Sequence, residues 1–430
     1  MFKKLFVDTL ACLAAGAMLL LAPACSKPVN FYNLPGPPPP SGGDDTPSGG
    51  NGNGNDGGDN TDTPGWDSST HCSDIGQTPI VLAYFTEYTE SLPEVRLLTH
   101  INYAHGRFAN PSTGDGGIVI TESKKAPIKD VVALKSVNPR LKVCLMIGGW
   151  GGHADGFSMM ARDAAKRTEF CQSVKSLLEK NQMDGVDIDW EYPTQSADNE
   201  TGADPSDTRN FNLVLKELRE TIGTDKIISF ASSSSAKYVD WNTAMKYLDY
   251  VNVMTYDMGA APNGHNSPLH KSGKFSHRSW DESIEAHING GVPRDRMVMG
   301  VPFYGKAQKP PSDKESAEYQ TYLANKIFDY SVRYYEMPDI LNKGTYKGKP
   351  LARKVTRKWE PTSMVPYLVD ESGLNVLSYD DPESVELKGK YAKANGHLGA
   401  MFWEYRCDTD DHALLKALVK GIYNKESVLE

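Results

Sequence analysis

The sequence predicts an α/β fold, a (β/α)8 TIM barrel with a small α+β insertion between its seventh and eighth strands. Eight short β-branched or apolar runs follow one another over roughly 340 residues, and amphipathic stretches lie between several of them. No G-x-G-x-x-G motif follows the first run. That absence argues against the alternative, an open doubly wound sheet.

Each barrel strand is predicted from one of these runs. In chain order they are Ile80–Tyr84, Ile101–Ala104, Val143–Ile147, Gly185–Trp190, Ile227–Ala231, Tyr250–Met254, Met297–Val301 and Leu398–Trp403. Helical patterns lie between them, for example at Ala161–Lys180 and Asp207–Thr221.

A long interval separates the seventh run from the eighth. Within it, Arg333–Ile340 and Lys354–Leu368 mix Tyr, Trp and Pro in a pattern of neither regular helix nor regular strand. This predicts an inserted α+β subdomain at Lys306–Asn375. Such an insertion on the loop face of a barrel deepens a cleft, which suits an extended substrate.

The composition excludes some classes of function. The chain has 430 residues, of which 46 are basic and 55 acidic, so its net charge is -9. Lys and Arg do not cluster beyond short pairs, which argues against nucleic acid as a partner. An acidic surface also disfavours a polyanionic substrate, so we expect a neutral ligand.

The amino terminus has the pattern of an export signal. Lys3 and Lys4 precede the apolar run Leu10–Ala22, which is followed by Pro23, Ala24 and Cys25. A cysteine directly after Ala24 resembles a bacterial lipoprotein signal. We therefore expect residues 1–24 to be removed and Cys25 to be lipidated, which makes the protein an exported, membrane-anchored lipoprotein. Ordinary secretion and a retained anchor helix are the alternatives.

Residues 25–66 are predicted to form a linker. From Pro35 to Gly65 every residue is Gly, Pro, Ser, Thr, Asn or Asp, so the stretch buries almost no apolar area. As a Gly-rich coil, residues 26–65 reach about 35 Å in root-mean-square length. The segment is interpreted as a tether, with a cleavable leader as the alternative. Residues 67–430 form the barrel.

Four cysteines lie in the predicted barrel: Cys72, Cys144, Cys171 and Cys407. In an oxidising compartment they allow three full disulfide pairings, and the sequence does not choose among them. Cys144 lies in an apolar run, which favours a buried free thiol.

The fourth run carries acidic residues in a spacing that indicates catalysis. Residues 184–193 read D-G-V-D-I-D-W-E-Y-P, so Asp187, Asp189 and Glu191 share one face of a strand and apolar residues occupy the other. Three like charges buried together share protons, which keeps at least one acid neutral and supplies a general acid. A surface strand does not fit the apolar face. A divalent-metal site needs further ligand clusters, so no metal is predicted.

This motif resembles the signature D-G-x-D-x-D-x-E of glycoside hydrolase family 18, the chitinase family. Asp184, Gly185, Asp187, Asp189 and Glu191 match every fixed position. The resemblance runs from Pro79 to about Tyr423. Further similar segments are Thr99–Ala104, Gly148–Trp150, Asn252–Asp257, Gly300–Gly305 and Gly399–Glu404, and Tyr334–Glu336 and Ser378–Asp380 resemble the chitin-insertion subdomain of deep-cleft chitinases.

The resemblance implies a role for each acid. Glu191 protonates the leaving glycosidic oxygen. The family is a substrate-assisted exception among retaining enzymes, so the nucleophile is the carbonyl oxygen of the sugar's own N-acetyl group. Asp189 then binds the acetamide N–H and Glu191, and Asp187 holds the proton that Asp189 gives up.

The resemblance also implies residues that bind the substrate. Tyr256 donates its hydroxyl to the acetyl oxygen, Asp257 supports the distorted ring, and Trp403 forms the floor beneath the sugar. Further contacts with the substrate are expected at strand ends, and packing in the core is the alternative for each side chain. These residues are Tyr84, Tyr88, Gly149, Trp150, Met254 and Tyr304.

Four positions depart from the family pattern. Met146 stands where a Ser normally helps to hold Asp187, His105 where Phe is common, Lys306 where Arg is common and Gly151 where Asn is common. They bear on efficiency and subsite preference more than on reaction type.

The resemblance implies a chitinase that cleaves β-1,4-linked N-acetylglucosamine chains with retention. The partner is chitin or a chitooligosaccharide, no cofactor is expected, and the membrane is contacted only through the N-terminal lipid of a monomer. Alternatives are an endo-β-N-acetylglucosaminidase acting on N-glycans, a chitin-binding lectin, and an enzyme for other N-acetylhexosamine polymers, including peptidoglycan.

Overall fold

A computed structural model of the protein describes residues 69–194, 202–273 and 278–430. The predicted signal peptide, Cys25 and the linker lie outside the described residues. Across the described part of the chain, every helix is too short or too polar to span a membrane.

Strands make up the barrel and the insertion. In chain order, β1 to β16 are Ile80–Phe85, His100–Asn110, Asp115–Ile120, Lys142–Gly148, Gly185–Asp189, Ile227–Ser233, Tyr250–Met254, Met297–Pro302, Tyr304–Lys306, Ser331–Arg333, Thr345–Tyr346, Lys349–Pro350, Val355–Glu360, Val365–Asp370, Asn375–Ser378 and Gly399–Trp403.

Helices cover the outside of the barrel and part of the insertion. In chain order, α1 to α10 are Ile128–Ala133, Phe157–Ala161, Ala164–Asn181, Asp207–Ile222, Trp241–Ala244, Trp280–Gly290, Ala317–Asn325, Met337–Lys343, Pro382–Ala394 and Ala413–Tyr423.

Eight parallel strands close into a barrel, which confirms the predicted fold class. Their order around the barrel is β1, β2, β4, β5, β6, β7, β8 and β16, and β16 pairs with β1 to complete the ring. All eight pairings are parallel, as expected when helices connect successive strands. The carboxyl ends of the strands therefore meet at one face, where barrel enzymes carry their sites.

Some element bounds differ from the sequence prediction. The helix predicted at Ala161–Lys180 is α3, which begins at Ala164, because the side chain of Asp163 caps it by accepting hydrogen bonds from the backbone N–H groups of Ala165 and Lys166. Strand β3 was not predicted. It pairs antiparallel with the long β2 outside the barrel ring.

The interval between β8 and β16 holds an antiparallel sheet of five strands in the order β10, β9, β15, β14 and β13. It begins at Tyr304 and ends at Ser378, slightly beyond the predicted bounds Lys306–Asn375. Helices α7 and α8 lie within the same interval. A separate apolar cluster, which includes Phe328, Val332 and Leu377, forms the core of this region.

The four cysteines of the barrel are all buried free thiols. Burial raises the pKa of Cys72 to about 11 and that of Cys171 and Cys407 to about 12. These thiols are therefore protonated at neutral pH and poor nucleophiles.

Candidate active site

Strand β5 sorts the signature residues onto two faces. Val186 and Ile188 join the apolar cluster between the barrel and its helices, and Trp190 stacks on Phe157 at 5.3 Å between ring centroids. The acids of the motif therefore face the barrel interior. Asp184 lies just before the strand and accepts a 2.7 Å hydrogen bond from the backbone N–H of Val143, which joins β4 to β5.

Asp187 lies in a cage of hydrogen-bond donors. Tyr84 donates from 2.9 Å, Ser229 from 2.6 Å and the amide of Asn252 from 2.9 Å, each from a different strand. Burial raises the pKa of Asp187 to about 6, and the three donors act against that shift. Asp187 is thus a fixed, fully bonded group beneath the rest of the site.

Asp189 and Glu191 line the cleft above it. The pKa of Glu191 is raised to about 7, and the pKa of Asp189 is raised well above its usual range. Burial is the main cause in both cases, although both residues line the cleft. Glu191 raises the pKa of Asp189 further because the two charges repel each other. Asp189 Oδ1 is buried and has no hydrogen-bond partner among the described residues. Near neutral pH the two acids therefore hold at least one proton between them, and Oδ1 of Asp189 is left as an unpaired acceptor.

Two glycines allow β4 to approach β5 closely at this point. Gly148 has φ 103°, and a Cβ there would lie 2.2 Å from the carbonyl oxygen of Asp189. The next backbone N–H, of Gly149, donates a 2.8 Å hydrogen bond to that oxygen. Gly149 thus fixes Asp189 and is not among the residues that line the cleft.

Tyr256 and Asp257 follow β7, which lies two strands from β5 in the ring, and both line the cleft. Burial raises the pKa of Tyr256 well above its usual value, so its hydroxyl remains a donor. Asp257 accepts a 2.7 Å hydrogen bond from Tyr304 and forms a 3.1 Å ion pair with Lys306. The Lys that replaces the family's common Arg therefore holds Asp257 in position.

Trp403 ends β16 and lines the cleft, which has a volume of about 750 Å³. Its ring lies 5.5 Å from that of Tyr84 between centroids. Met254 and Tyr304 also line the cleft, and Trp150 lines it with 56 % of its surface exposed. Tyr88 is exposed but does not line the cleft; its ring packs under the guanidinium of Arg406 at 5.2 Å.

The structure shows the surroundings of three of the residues that depart from the family pattern, at positions 146, 105 and 151. Met146 lies opposite Asp187 in the register of β4 and β5, and Ser229 lies opposite Asp187 on β6. His105 forms a 2.6 Å contact with Glu87 and stacks on the ring of His153 at 4.6 Å. Gly151 begins a short 3-10 turn in open space.

Several cleft residues were missed by the sequence analysis. Ser229, Asn252 and Tyr192 contact the acids, and four charged residues also line the cleft: Lys309, Arg333, Glu404 and Arg406. Ser229 had no signal in the sequence, because the residue opposite Asp187 is set by the register of β5 and β6. Lys309, Arg333 and Arg406 belong to no motif, whereas Glu404 ends the family-like segment Gly399–Glu404 but was given no role. No cluster of His, Cys, Asp and Glu in the described ranges is arranged to hold a metal ion.

Comparison with known proteins places this geometry in a family. The model of glycosyl hydrolases family 18 matches residues 80–408. The chain belongs to this family. Chitinase A1 of Niallia circulans is 33 % identical over 308 residues, which cover 65 % of this chain and 42 % of that protein. Class V chitinase CHIT5 of Lotus japonicus is 29 % identical over 348 residues, covering 76 % and 81 %.

Solved structures of the family share the fold. Chitinase ChiA74 from Bacillus thuringiensis matches with a TM-score of 0.66 and 25 % identity, over 81 % of this chain and 70 % of that chain. A family 18 N-acetylglucosaminidase from Paenibacillus barengoltzii matches with a TM-score of 0.62 and 28 % identity, over 80 % and 99 %. This chain spans 42 %, 60 % and 64 % of the lengths of three of its chitinase relatives.

Proposed function

We propose that this family 18 protein is a chitinase that hydrolyses β-1,4-linked N-acetylglucosamine chains and retains the β configuration. The observation that carries the proposal is the pair of Asp189 and Glu191: a buried acceptor oxygen without a partner lies beside a carboxyl whose pKa is raised to about 7. A carboxyl of that pKa is well suited to protonate a leaving oxygen near neutral pH.

The sugar's own acetamide serves as the nucleophile in this proposal. The acetamide N–H donates to Asp189, which turns the carbonyl oxygen of the same group towards the anomeric carbon. That oxygen attacks as Glu191 delivers its proton to the glycosidic oxygen, and a bicyclic oxazolinium intermediate forms. Water activated by Glu191 then attacks the anomeric carbon from the face that the leaving group vacated and displaces the acetyl oxygen, so two displacements give net retention.

Tyr256, Asp257 and Trp403 complete the site. The hydroxyl of Tyr256 donates to the acetyl oxygen as charge develops, which is the kind of interaction that lowers a barrier. Asp257, held by Tyr304 and Lys306, binds the distorted ring. Trp403 packs against the acetamide methyl and the sugar face.

The identity of the substrate as chitin is part of the proposal. Relatives named as chitinases support chitin, and one structural neighbour is named as an N-acetylglucosaminidase. The intact Glu191 disfavours a lectin, since such proteins commonly lose the terminal acid of the motif.

Product analysis tests the proposal. The purified protein is incubated with chitohexaose and, separately, with a biantennary N-glycopeptide, and the products are identified by mass spectrometry. We expect shorter chitooligosaccharides from the first and an intact glycopeptide from the second. Release of the glycan with no cleavage of chitohexaose would contradict a chitinase.

We also propose that the protein is exported and anchored by a lipid on Cys25. The support is the sequence pattern of residues 1–25. Cys25→Ala is expected to move the protein from the membrane fraction to the soluble fraction with unchanged specific activity. Mass spectrometry that finds an unmodified Cys25 in the mature, membrane-extracted protein would contradict this.

A further inference from the structure

One wall of the cleft carries an excess of positive charge, although the whole chain is acidic. Strands β9 and β10 pair with Tyr304 opposite Arg333 and Lys306 opposite Ser331. All four of these residues line the cleft, and Val332, between the two on β10, is buried in the core of the insertion. The register therefore turns Arg333 into the cleft rather than to the outer surface.

The cations on this wall differ in whether an acid neutralises them. Lys306 is paired with Asp257, and Arg406 is paired with Glu404. Arg333 and Lys309 form no ion pair within the described residues; the guanidinium of Arg333 donates to the hydroxyl of Tyr335 at 3.1 Å. Arg333 and Lys309 are thus the two cations of this wall that have no acidic partner among the described residues and can pair with an anionic ligand.

The acids that face this wall do not cancel the excess. Burial raises the pKa of Asp189 and Glu191, so protons neutralise much of their charge at neutral pH. Asp257 and Glu404 are each already bound to a cation. Arg333 is half-buried, so solvent and salt screen its field less than that of a side chain in open water.

We propose that Arg333 and Lys309 form an anion-binding subsite next to the sugar that lies on Trp403, and that the cleft accepts N-acetylglucosamine chains in which the neighbouring sugar carries a carboxylate. The inference rests on the proposed function for the placement of the reacting sugar. The planar guanidinium of Arg333 suits a carboxylate, with which it forms two parallel hydrogen bonds.

Two kinds of sugar supply such a carboxylate: a uronic acid, at its sixth carbon, and N-acetylmuramic acid, on its lactyl group. In each case the reacting unit is an N-acetylglucosamine that keeps its acetamide for catalysis. The two sources differ in where the carboxylate lies relative to the ring, so binding measurements with both distinguish them.

Binding is measured by calorimetry with the full chain carrying Glu191→Gln, so that the probes are not cleaved. The probes are chitohexaose, a hyaluronan hexasaccharide, and a hexasaccharide of alternating N-acetylglucosamine and N-acetylmuramic acid. At low ionic strength we expect one acidic probe to bind about fivefold more tightly than chitohexaose. About 0.5 M salt is expected to remove most of this advantage.

A second substitution ties the effect to the subsite. Arg333→Gln in the same background is expected to reduce the ratio of the two affinities about fivefold. The matched control is Lys314→Gln, an exposed lysine of the same interval that does not line the cleft, and it should leave the ratio unchanged. The acidic probe that depends on Arg333 identifies the source of the carboxylate.

Weaker binding of both acidic probes than of chitohexaose would overturn the inference, and so would an advantage that persists in Arg333→Gln. The proposed chitinase activity is judged separately, from turnover of chitohexaose by the chain with Glu191 intact. Failure of the subsite and failure of the chitinase proposal are therefore distinguishable.

Discussion

The hydroxyl of Ser229 donates a 2.6 Å hydrogen bond to Asp187, whereas Met146, on the other side of Asp187, offers no donor. Strand β6 thus supplies a hydroxyl where the family pattern leads one to expect it from β4. Together with Tyr84 and Asn252 it leaves Asp187 with three donors. The departure at position 146 consequently does not leave Asp187 unsupported.

Ser229→Ala is expected to lower both stability and activity. A buried carboxyl that loses a donor costs about 1–3 kcal/mol of unfolding free energy. The pKa of Asp187 should also rise, because that hydrogen bond stabilises its ionised form. Chemical denaturation and kcat on chitotetraose are the measurements.

Ser232→Ala is the matched control for Ser229→Ala. Ser232 lies on the same strand, and its buried hydroxyl contacts His287 at 2.8 Å. This variant should lose stability but keep its kcat. If both variants lose stability alike and both keep kcat, Ser229 does not act through Asp187.

Glu191→Gln is expected to abolish turnover while sugar binding persists. The two side chains are nearly isosteric, so the fold should be preserved, but the amide cannot deliver a proton. Glu220→Gln, an exposed position on α4, serves as the control. More than about a tenth of the unmodified kcat on chitotetraose in Glu191→Gln would show that Glu191 is not the general acid.

The pH profile of kcat/KM should fall on its alkaline side with an apparent pKa of about 7, since the general acid must be protonated. Asp257 raises the pKa of Glu191 by charge repulsion, so Asp257→Asn should move this limb to lower pH. A hydrogen bond from Tyr192 lowers the same pKa, so Tyr192→Phe should move the limb to higher pH. Shifts in the same direction for both variants would refute the assignment of the limb to Glu191.

Tyr256→Phe is expected to lower kcat by roughly 10²-fold, the lower end for a lost donor to developing charge. The control is Tyr103→Phe, which removes a buried hydroxyl that donates to the carbonyl of Ala126 at 3.0 Å, away from the cleft. That variant should lose stability and keep kcat per folded molecule. Equal kcat values in the two variants would remove Tyr256 from the mechanism.

The strand pattern and the motif of the sequence predicted the barrel and the central acids. Alternation on β5 alone separates Asp187 and Asp189 from Val186 and Ile188, because successive side chains of a strand point to opposite faces. The start of α3 was predicted three residues too early, since the capping residue Asp163 lies inside an otherwise continuous helical pattern. Asp is a common helix N-cap residue, but the continuous helical periodicity favoured an earlier start.

The surroundings of the acids were not predictable in the same way. Which residue lies opposite Asp187 depends on the register of β5 and β6, and no pattern within either strand fixes that register. Arg333 enters the cleft through a three-residue strand of the insertion, paired with Tyr304. Contacts of this kind arise from tertiary packing between segments far apart in sequence.

The proposed mechanism requires that the substrate's acetamide, rather than a water molecule, attacks the anomeric carbon first. Early-time proton NMR of chitotetraose cleavage, recorded before the products mutarotate, reads the outcome directly. We expect the new reducing end to be released predominantly as the β-anomer, because two displacements restore the configuration. Predominantly α-anomer at the earliest times would mean direct attack by water and would contradict attack by the acetamide.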